Sequence, residues 1–267
     1  MPIHLGIGSW GDDAYVGVLY PRGLPKADRL REYARSLDHV EVNSTYYAIP
    51  PAPTLRGWLK QTPPGFTFSL KLHRAVAQSP AKAADGALLK RLLLSAKPLL
   101  AAQRVPTFFL VLPPRFSPER HALTELDGLV RRLAPHPLAV ELRHRAWVTG
   151  RQKAATLAYF RERKLIWIAV DMPRLPRSTL MPPVDEVTHP TIGYLRLHGR
   201  NPRYEEAGSA AEGHHYLYSA PELRGLVTRI RKLAAKCEHL YVIANNHAED
   251  FAPRTALALQ QALGGRL

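Results

Sequence analysis

Residues 192–198 read IGYLRLH, a segment in which apolar and polar side chains alternate as in a β-strand. Leu195 and Leu197 point to one face of this strand, and Arg196 and His198 point to the other. A strand with one polar face usually turns that face to water, but this one belongs to a chain in which strands and helices alternate. A closed barrel resolves the conflict, because each strand then has one side facing the lumen and one side facing the helices.

Seven other apolar runs resemble this one, and helical patterns occupy most of the gaps between them. The predicted strands cover residues 3–9, 39–44, 66–72, 107–113, 138–144, 165–171, 192–198 and 239–246. The predicted helices cover residues 26–37, 54–61, 85–103, 118–133, 152–163, 221–236 and 253–263. The gap 172–190 is too rich in proline for a regular helix. Eight strand–helix units in 267 residues predict an α/β fold, a single (β/α)₈ TIM-type barrel domain over residues 1–267.

Composition narrows the class of protein and its partners. Hydrophobic residues make up 46% of the chain, enough for a core, and the lone Cys237 rules out an internal disulfide. We expect a cytoplasmic protein without a membrane partner, because neither a leader pattern nor a long apolar run is seen. The net charge of +15 favours an anionic small molecule or nucleic acid as partner. The alternative is that the basic residues are solvated on the outer faces of helices.

Polar residues identify which side of each strand faces the lumen, since the helix-facing side of a barrel should be apolar. On this criterion the charged side chains that enter the lumen are Glu41, Lys71, Glu141, Arg143, Asp171 and Arg196. Gly6 and Gly8 of the first strand leave room near the mouth. An unpaired buried charge costs several kcal/mol, so these groups must pair with one another or bind a ligand. They lie towards the C-terminal ends of the strands, where barrel active sites occur.

Two interpretations of this cluster remain open. Three acids and three bases balance, and they can form a closed salt-bridge network that fills the lumen without any ligand. His198, Asn245, Asn246 and His247 add donors and acceptors beyond what such pairing requires, and this surplus favours a binding site.

The motifs IGSWGDDAYVGVLYP, HVEVNSTYYAIP, VELRHRAW, YLRLHGRN and YVIANNH follow one another in the order typical of one protein family. With them the chain resembles the YecE-like family, domain of unknown function 72, over nearly its whole length. The resemblance implies a single (β/α)₈ barrel and no specific activity. The residues that match the recurring motifs are Glu41, Asn43, Ser44, Tyr47, Lys71, Glu141, Arg143, Trp147, Asp171, Arg196, His198, Asn245, Asn246 and His247.

The sequence departs from the family pattern at three places. Residues 6–10 read GIGSW where the family more often has GTSGW. Thr255 stands where the family often has an asparagine, so an amide is missing there. His73 follows Lys71 in a different local sequence and does not obviously replace a family histidine.

These residues divide into predicted roles. The predicted catalytic residues are Glu41, Glu141, Asp171 and His198, carboxylates and an imidazole suited to proton transfer. The predicted substrate-binding residues are Asn43, Lys71, Arg143, Trp147, Arg196, Asn201, Tyr204, Asn245, Asn246 and His247. Lysine and arginine form charge-assisted hydrogen bonds with carboxylates and phosphates. Aromatic rings around the mouth can stack on bases or sugars. His214 and His215 are predicted to be solvated in a polar loop.

Three functional hypotheses follow, and whether the protein is an enzyme stays open. The first is a hydrolase or lyase acting on an anionic, phosphorylated or nucleic-acid-derived substrate in a polar pocket at the C-terminal face. The second is a non-catalytic barrel that binds nucleic acid. The third is a metal-dependent carbohydrate enzyme, but the cations among the acids oppose a divalent metal, so no cofactor and no metal ligand is predicted. The sequence leaves the oligomeric state open.

Overall fold

Eight parallel strands close into a barrel in chain order in the computed structural model, which describes residues 2–83 and 86–264. The strands are β1 (Ile3–Ile7), β2 (His39–Val42), β3 (Thr67–Lys71), β4 (Phe108–Val111), β5 (Leu138–Glu141), β6 (Ile166–Asp171), β7 (Ile192–Leu197) and β8 (His239–Ala244). The barrel closes where Ile3 of β1 lies opposite Leu240 of β8 and Ile7 lies opposite Ala244. The predicted (β/α)₈ barrel is therefore confirmed, and each strand end lies at the predicted limit or up to three residues inside it.

Helices surround the barrel in the gaps where the sequence predicts them. The helices of the described residues are α1 (Arg29–Ser36), α2 (Ala52–Gln61), α3 (Arg74–Gln78), α4 (Pro80–Ala83), α5 (Ala87–Ala101), α6 (Asp127–Leu133), α7 (Gln152–Glu162), α8 (Ala210–Gly213), α9 (Ala220–Ala234) and α10 (Phe251–Leu263). Residue 85, the predicted start of the helix at 85–103, lies outside the described residues, and α5 is described from Ala87. The one predicted at 118–133 starts nine residues later, because turns occupy the chain up to the 3₁₀ helix Leu123–Leu126.

The helix α9 shows why these segments are helical. Pro221 stands in its first turn, where the missing N–H of proline is tolerated. Glu222 accepts hydrogen bonds from the backbone N–H and the hydroxyl of Ser219, which together fix the start of the helix. Leu226, Ile230 and Leu233 then recur at helical spacing and are buried against the barrel.

The side chains of strand β6 face the opposite way from the prediction, which places Asp171 in the lumen. Val170 lies opposite Arg196, and Ile168 lies opposite Tyr194, so the apolar residues of β6 face the lumen and Trp167 and Asp171 face the helices. The prediction that Asp171 enters the lumen is therefore wrong. Polarity misleads at this strand because basic side chains outside the barrel, rather than a polar lumen, satisfy the carboxylate of Asp171.

The proline-rich segment 172–190 forms no helix in the structure, as predicted. Side chains tie it to the barrel: Trp167 donates its indole N–H to the carbonyl of Val184, and the hydroxyl of Thr188 donates to the carbonyl of Leu165. Among the described residues, no helix has both the length and the apolar character needed to cross a membrane.

Candidate functional site

Arg196 lies at the centre of the lumen and joins both buried glutamates. Its Nη2 donates to Glu41 Oε2 and to Asn245 Oδ1, each at 2.9 Å, and its Nη1 donates to Glu141 Oε2. Arg196 is 1% exposed, and both carboxylates are fully buried. Burial alone would raise the pKa of Glu141, but Arg196, His198 and Arg143 hold that pKa well below its ordinary value. The predicted meeting of Arg196 with Glu41 and Glu141 is confirmed.

His198 completes this buried network in a defined tautomer. The Oδ1 atom of Asn245 accepts a hydrogen bond from Arg196. The Nδ2 atom of Asn245 is therefore the one that donates to His198 Nδ1, at 3.0 Å. His198 Nε2 therefore carries the proton and lies 3.2 Å from Glu141 Oε2. Burial lowers the pKa of His198 to about 4, although Glu141 opposes the shift, so the ring is neutral near pH 7.

Lys71 and Asn43 form a second layer nearer the mouth of the barrel. Lys71 is the last residue of β3, and its Nζ donates to Asn43 Oδ1 at 3.0 Å. Asn43 Nδ2 donates to the carbonyl of Gly8 at 2.9 Å. A Cβ on Gly8 would lie 2.7 Å from Asn43 Nδ2 and 3.2 Å from Asn245 Oδ1, so any larger residue would force Asn43 to shift.

Arg143 follows β5 and links the buried acids to the solvent-accessible mouth. Its Nε donates at 2.7 Å to Glu141 Oε1, whereas Arg196 donates to the other oxygen of that carboxylate, Oε2. Its side chain remains 24% exposed. One arginine therefore neutralises the glutamates from inside the barrel, and a second arginine contacts Glu141 from the mouth.

A cavity of about 470 Å³ opens at this C-terminal face. Its charged lining consists of Asp12, Lys71, Arg115, Arg143 and Arg196, and its amide and imidazole lining includes Asn43, Asn245, His214 and His247. The rings of Tyr15, Tyr46 and Tyr47 also line it. Six of the predicted substrate-binding residues therefore share one cavity: Asn43, Lys71, Arg143, Arg196, Asn245 and His247. The cavity is large enough for a small metabolite.

Two histidines build one wall of this cavity. His214 stacks on His198 with ring centroids 5.0 Å apart, and its Nδ1 lies 3.3 Å from His247 Nδ1. His247 Nδ1 also donates to the carbonyl of Asn245 at 2.9 Å. Burial lowers the pKa of both His214 and His247. The prediction that His214 is solvated is wrong, because only 2% of its surface is exposed, whereas His215 is exposed.

Three predicted catalytic residues lie behind the cavity wall rather than on it. Glu41, Glu141 and His198 have no exposed surface, and each contacts Arg196 or Asn245. In this position they hold the residues that line the cavity. The fourth, Asp171, lies outside the barrel wall, where it accepts hydrogen bonds from Arg200, Tyr218 and Arg229.

Two predicted substrate-binding residues are structural in this fold. The indole N–H of Trp147 donates to the carbonyl of Phe116 at 2.7 Å, and the two rings stack. Asn246 Nδ2 donates to the carbonyl of Tyr216 and to the hydroxyl of Thr255. Thr255, which replaces a family asparagine, thus has a role as acceptor. Trp147 and Asn246 are not among the residues that line the cavity.

The remaining two predicted substrate-binding residues belong to the loop after β7. Asn201 Nδ2 donates to the carbonyl of Glu212, and its Oδ1 accepts from the backbone N–H of Arg203. Tyr204 packs against His214, with ring centroids 5.6 Å apart, and is not among the residues that line the cavity. Both residues therefore shape the loop that carries His214 and do not line the cavity themselves.

Several residues that line the cavity were not predicted from the sequence. Asp12 and Arg115 lie in the loops after β1 and β4, Gln78 ends the short helix α3 in the connection after β3, and all three line the cavity. Their common signal is position, because every loop after a strand of this barrel emerges at the same face. Polar loop residues are frequent, however, and nothing in their local pattern separates a cavity-lining residue from a solvated one.

Metal ligands do not converge in the described part of the chain. No group of three or more histidine, cysteine, aspartate or glutamate side chains there has the arrangement of a metal site. Glu41 and Glu141 instead pair with Arg196, which occupies the position where a cation would bind.

Comparisons with known proteins agree with this architecture. Among curated relatives, the UPF0759 protein YunF of Bacillus subtilis is 24% identical over 256 residues, which cover 92% of this chain and 89% of YunF. The UPF0759 protein YecE of Escherichia coli is 28% identical over 160 residues, or 58% of this chain and 53% of YecE. Neither name states an activity.

Solved structures extend the similarity to the whole fold. A crystal structure of a DUF72 family protein from Enterococcus faecalis superposes with a TM-score of 0.88 at 25% identity, covering 98% of this chain and 95% of that one. A DUF72 family protein from Thermotoga maritima gives 0.83 at 27% identity, with 98% of each chain covered. The family described as "Protein of unknown function DUF72" matches residues 4–267. This chain therefore belongs to the DUF72 family.

Proposed function

We propose that the protein binds a small anionic molecule in the cavity at the C-terminal face of the barrel and acts on it as a lyase or hydrolase. The observation that carries the proposal is the charge of the lining. Lys71, Arg115, Arg143 and Arg196 line the cavity, whereas Asp12 is the one carboxylate among its lining residues in the described chain. Arginine and lysine at such a mouth are suited to a phosphate or carboxylate group.

The buried glutamates do not cancel this excess. Glu41 and Glu141 are both bound to Arg196, and with Asp12 they give three negative charges against the four positive ones of the lining. One positive charge therefore remains when Lys71 is protonated. A monoanionic group bound near Lys71 and Arg143 balances the site, and the low-dielectric surroundings strengthen that attraction.

Neutral groups of the cavity suit the rest of the ligand. Tyr47 is 69% exposed at the rim, and Tyr46 packs edge-on against it, so the two rings offer an apolar face. Asn43 and Asn245 supply amides that can orient hydroxyl groups. The ligand that fits best is a small polar molecule with one anionic end.

His247 is the proton acceptor that this geometry favours. Its Nδ1 donates to the carbonyl of Asn245, so Nε2 is the basic nitrogen of the neutral ring. Within the described residues, no hydrogen bond reaches Nε2. Because burial lowers the pKa of His247, the ring is neutral at pH 7 and ready to accept a proton. Glu41 and Glu141, proposed as bases from the sequence, then serve to fix Arg196.

A second candidate function, nucleic-acid binding, is supported by the net charge of +15. Binding of that kind uses the outer surface, depends steeply on salt and does not need the cavity. The two functions therefore differ in their sensitivity to salt and to residues of the lining.

A thermal-shift screen of charged and neutral partners tests the proposal. The matched pairs are glycerol 3-phosphate with glycerol, ribose 5-phosphate with ribose, and glyoxylate with glycolaldehyde, and single-stranded DNA is added for comparison. Stabilisation by a charged member and not by its neutral partner, retained at moderate salt, supports the cavity as an anion site. Stabilisation by DNA alone, abolished by salt, assigns function to the surface instead.

A further inference from the structure

Lys71 differs from Arg143 and Arg196, which pair with the buried glutamates, in having no carboxylate partner in the described part of the chain. Its Nζ contacts the neutral amide of Asn43 at 3.0 Å, and it lies 4.7 Å from the ring centre of Tyr46 and 5.8 Å from that of Phe109. In the part of the chain that the structure describes, the lumen carboxylates form ion pairs with arginines and none with Lys71. The amine therefore sits between aromatic faces at the edge of the cavity, held by one neutral acceptor.

The buried position of Lys71 leaves its amine partly unprotonated near neutral pH. Burial lowers its pKa to about 8, and Arg196 and Arg143 act in the same direction, whereas Glu41 and Glu141 oppose them. At pH 7 about one amine in ten is then neutral, compared with roughly one in 2,500 for a solvated lysine. A desolvated lysine beside other cations is a recurring form of activated amine nucleophile.

We propose that Lys71 forms an imine with the carbonyl carbon of an aldehyde or ketone that carries a carboxylate or phosphate. This inference rests on the proposed function and narrows it, since it names the substrate class as anionic carbonyl compounds and the reaction type as a lyase. Arg143, with 24% of its side chain exposed, and Arg115 at the rim are placed to hold the anionic group while the carbonyl approaches Nζ.

The step balances without any further reactant. The neutral Nζ attacks the carbonyl carbon, the π electrons move to oxygen, and that oxygen takes the proton that Lys71 released. The resulting hydroxyl leaves as water with a proton from the nitrogen, and a C=N bond forms. Ammonium and carbonyl thus give protonated imine and one water. The positive iminium then withdraws electrons from the adjacent carbon, where a bond can break, and His247 is the available base of the cavity.

Reductive trapping in the wild-type protein tests the inference. The protein is incubated at pH 7 with glyoxylate and sodium cyanoborohydride, which reduces the imine to a stable secondary amine, and each lysine is followed by peptide mass spectrometry. Exposed lysines such as Lys97 and Lys153 provide the internal reference. We expect Lys71 to be labelled at least tenfold faster than these two, and Lys71→Arg to lose that fast phase while keeping the positive charge.

Labelling of Lys71 no faster than that of Lys97 and Lys153 overturns the inference, and this comparison does not depend on the folding of any variant. Glycolaldehyde, the uncharged counterpart of glyoxylate, separates the inference from the proposed function. Fast labelling by both aldehydes supports the imine but contradicts the anion site. Thermal stabilisation by anions without fast labelling of Lys71 supports the anion site and contradicts the imine.

Discussion

Asn43 Oδ1 lies 3.0 Å from Lys71 Nζ at the mouth of the barrel, and it is a neutral acceptor where a carboxylate would form an ion pair. An amide keeps the amine in place and stabilises its charged form less than a carboxylate would. Asn43 is itself fixed by its hydrogen bond to the carbonyl of Gly8. This contact therefore connects β1, β2 and β3 to the reactivity of one side chain.

Replacing this amide by a carboxylate should suppress the reactivity of Lys71. In Asn43→Asp a negative charge adjoins Nζ, and an opposite charge at this distance raises a lysine pKa by about 1–3 units. The pH at which trapping by glyoxylate reaches half its maximal rate should rise by the same amount. Asn201→Asp is the matched control, because it makes the same change in a loop outside the cavity and should leave the profile of Lys71 unchanged. An unshifted profile in Asn43→Asp would mean that Asn43 does not govern the amine.

Removing the central arginine should destabilise the fold strongly. Arg196→Met leaves Glu41 and Glu141 as buried carboxylates without their main partner, a change that costs about 3–5 kcal/mol. Urea unfolding measures this loss. Arg31→Met, at an exposed pair with Asp28, should cost less than about 1 kcal/mol. Adding Glu41→Gln and Glu141→Gln to Arg196→Met should recover part of the loss, and no recovery would show that packing rather than charge is decisive.

The close packing at Gly8 makes a further prediction. Gly8→Ala places a methyl group 2.7 Å from Asn43 Nδ2, so Asn43 must shift, at a cost of about 1–3 kcal/mol. Labelling of Lys71 should change with it, since Asn43 holds the amine. In the control Gly57→Ala, in helix α2, the new methyl group has open space and should stabilise the protein by about 0.4–1 kcal/mol. Equal effects of the two substitutions on unfolding would contradict the packing described for the mouth.

Buried neutral histidines should make stability fall with acidification. A histidine whose folded-state pKa is lowered binds fewer protons in the folded than in the unfolded state, so stability rises with pH up to the unfolded value near 6.5. His214 and His198 are of this kind, and below pH 6.5 each contributes a slope of about 1.4 kcal/mol per pH unit until its own folded pKa is reached.

The variant His214→Phe keeps the stacked ring and removes one titrating group. Urea unfolding between pH 6.5 and 4.5 should therefore give a slope smaller by about 1.4 kcal/mol per pH unit than in the wild type. His215→Gln, at the neighbouring exposed ring, is the matched control. A wild-type slope in His214→Phe would show that this ring accepts a proton in the folded protein.

The sequence was sufficient for the barrel because periodicity is a local property. Eight alternating apolar runs define eight strands wherever their side chains point, and the strand order follows from parallel connections. The lumen side was correct for Glu41, Lys71 and Arg196, since a polar residue on those strands has no partner among the helices. It was wrong for Asp171, because Arg229 of helix α9, 58 residues away in the chain, supplies the partner.

The composition of the cavity was harder to predict because loops decide it. His214 is buried only because the loop after β7 folds back over His198, and a local pattern cannot show this. The motifs around Trp147 and Asn246 predict contact with a substrate, but their partners Phe116 and Thr255 are supplied by other elements. The predicted residues that line the cavity lie within three residues of the C-terminal ends of strands.

We propose that the cavity, and not the outer surface, binds an anion. The most direct test is the thermal shift given by the most stabilising small anion of the screen, measured in wild type, in Lys71→Met with Arg143→Gln, and in Asp171→Asn. The last variant breaks a buried cluster outside the cavity and serves as control.

We predict that the ligand-induced shift disappears in the double variant and persists in Asp171→Asn, even though Asp171→Asn lowers the melting temperature without ligand. Equal shifts in all three proteins, lost at high salt, would contradict the claim and assign anion binding to the basic surface.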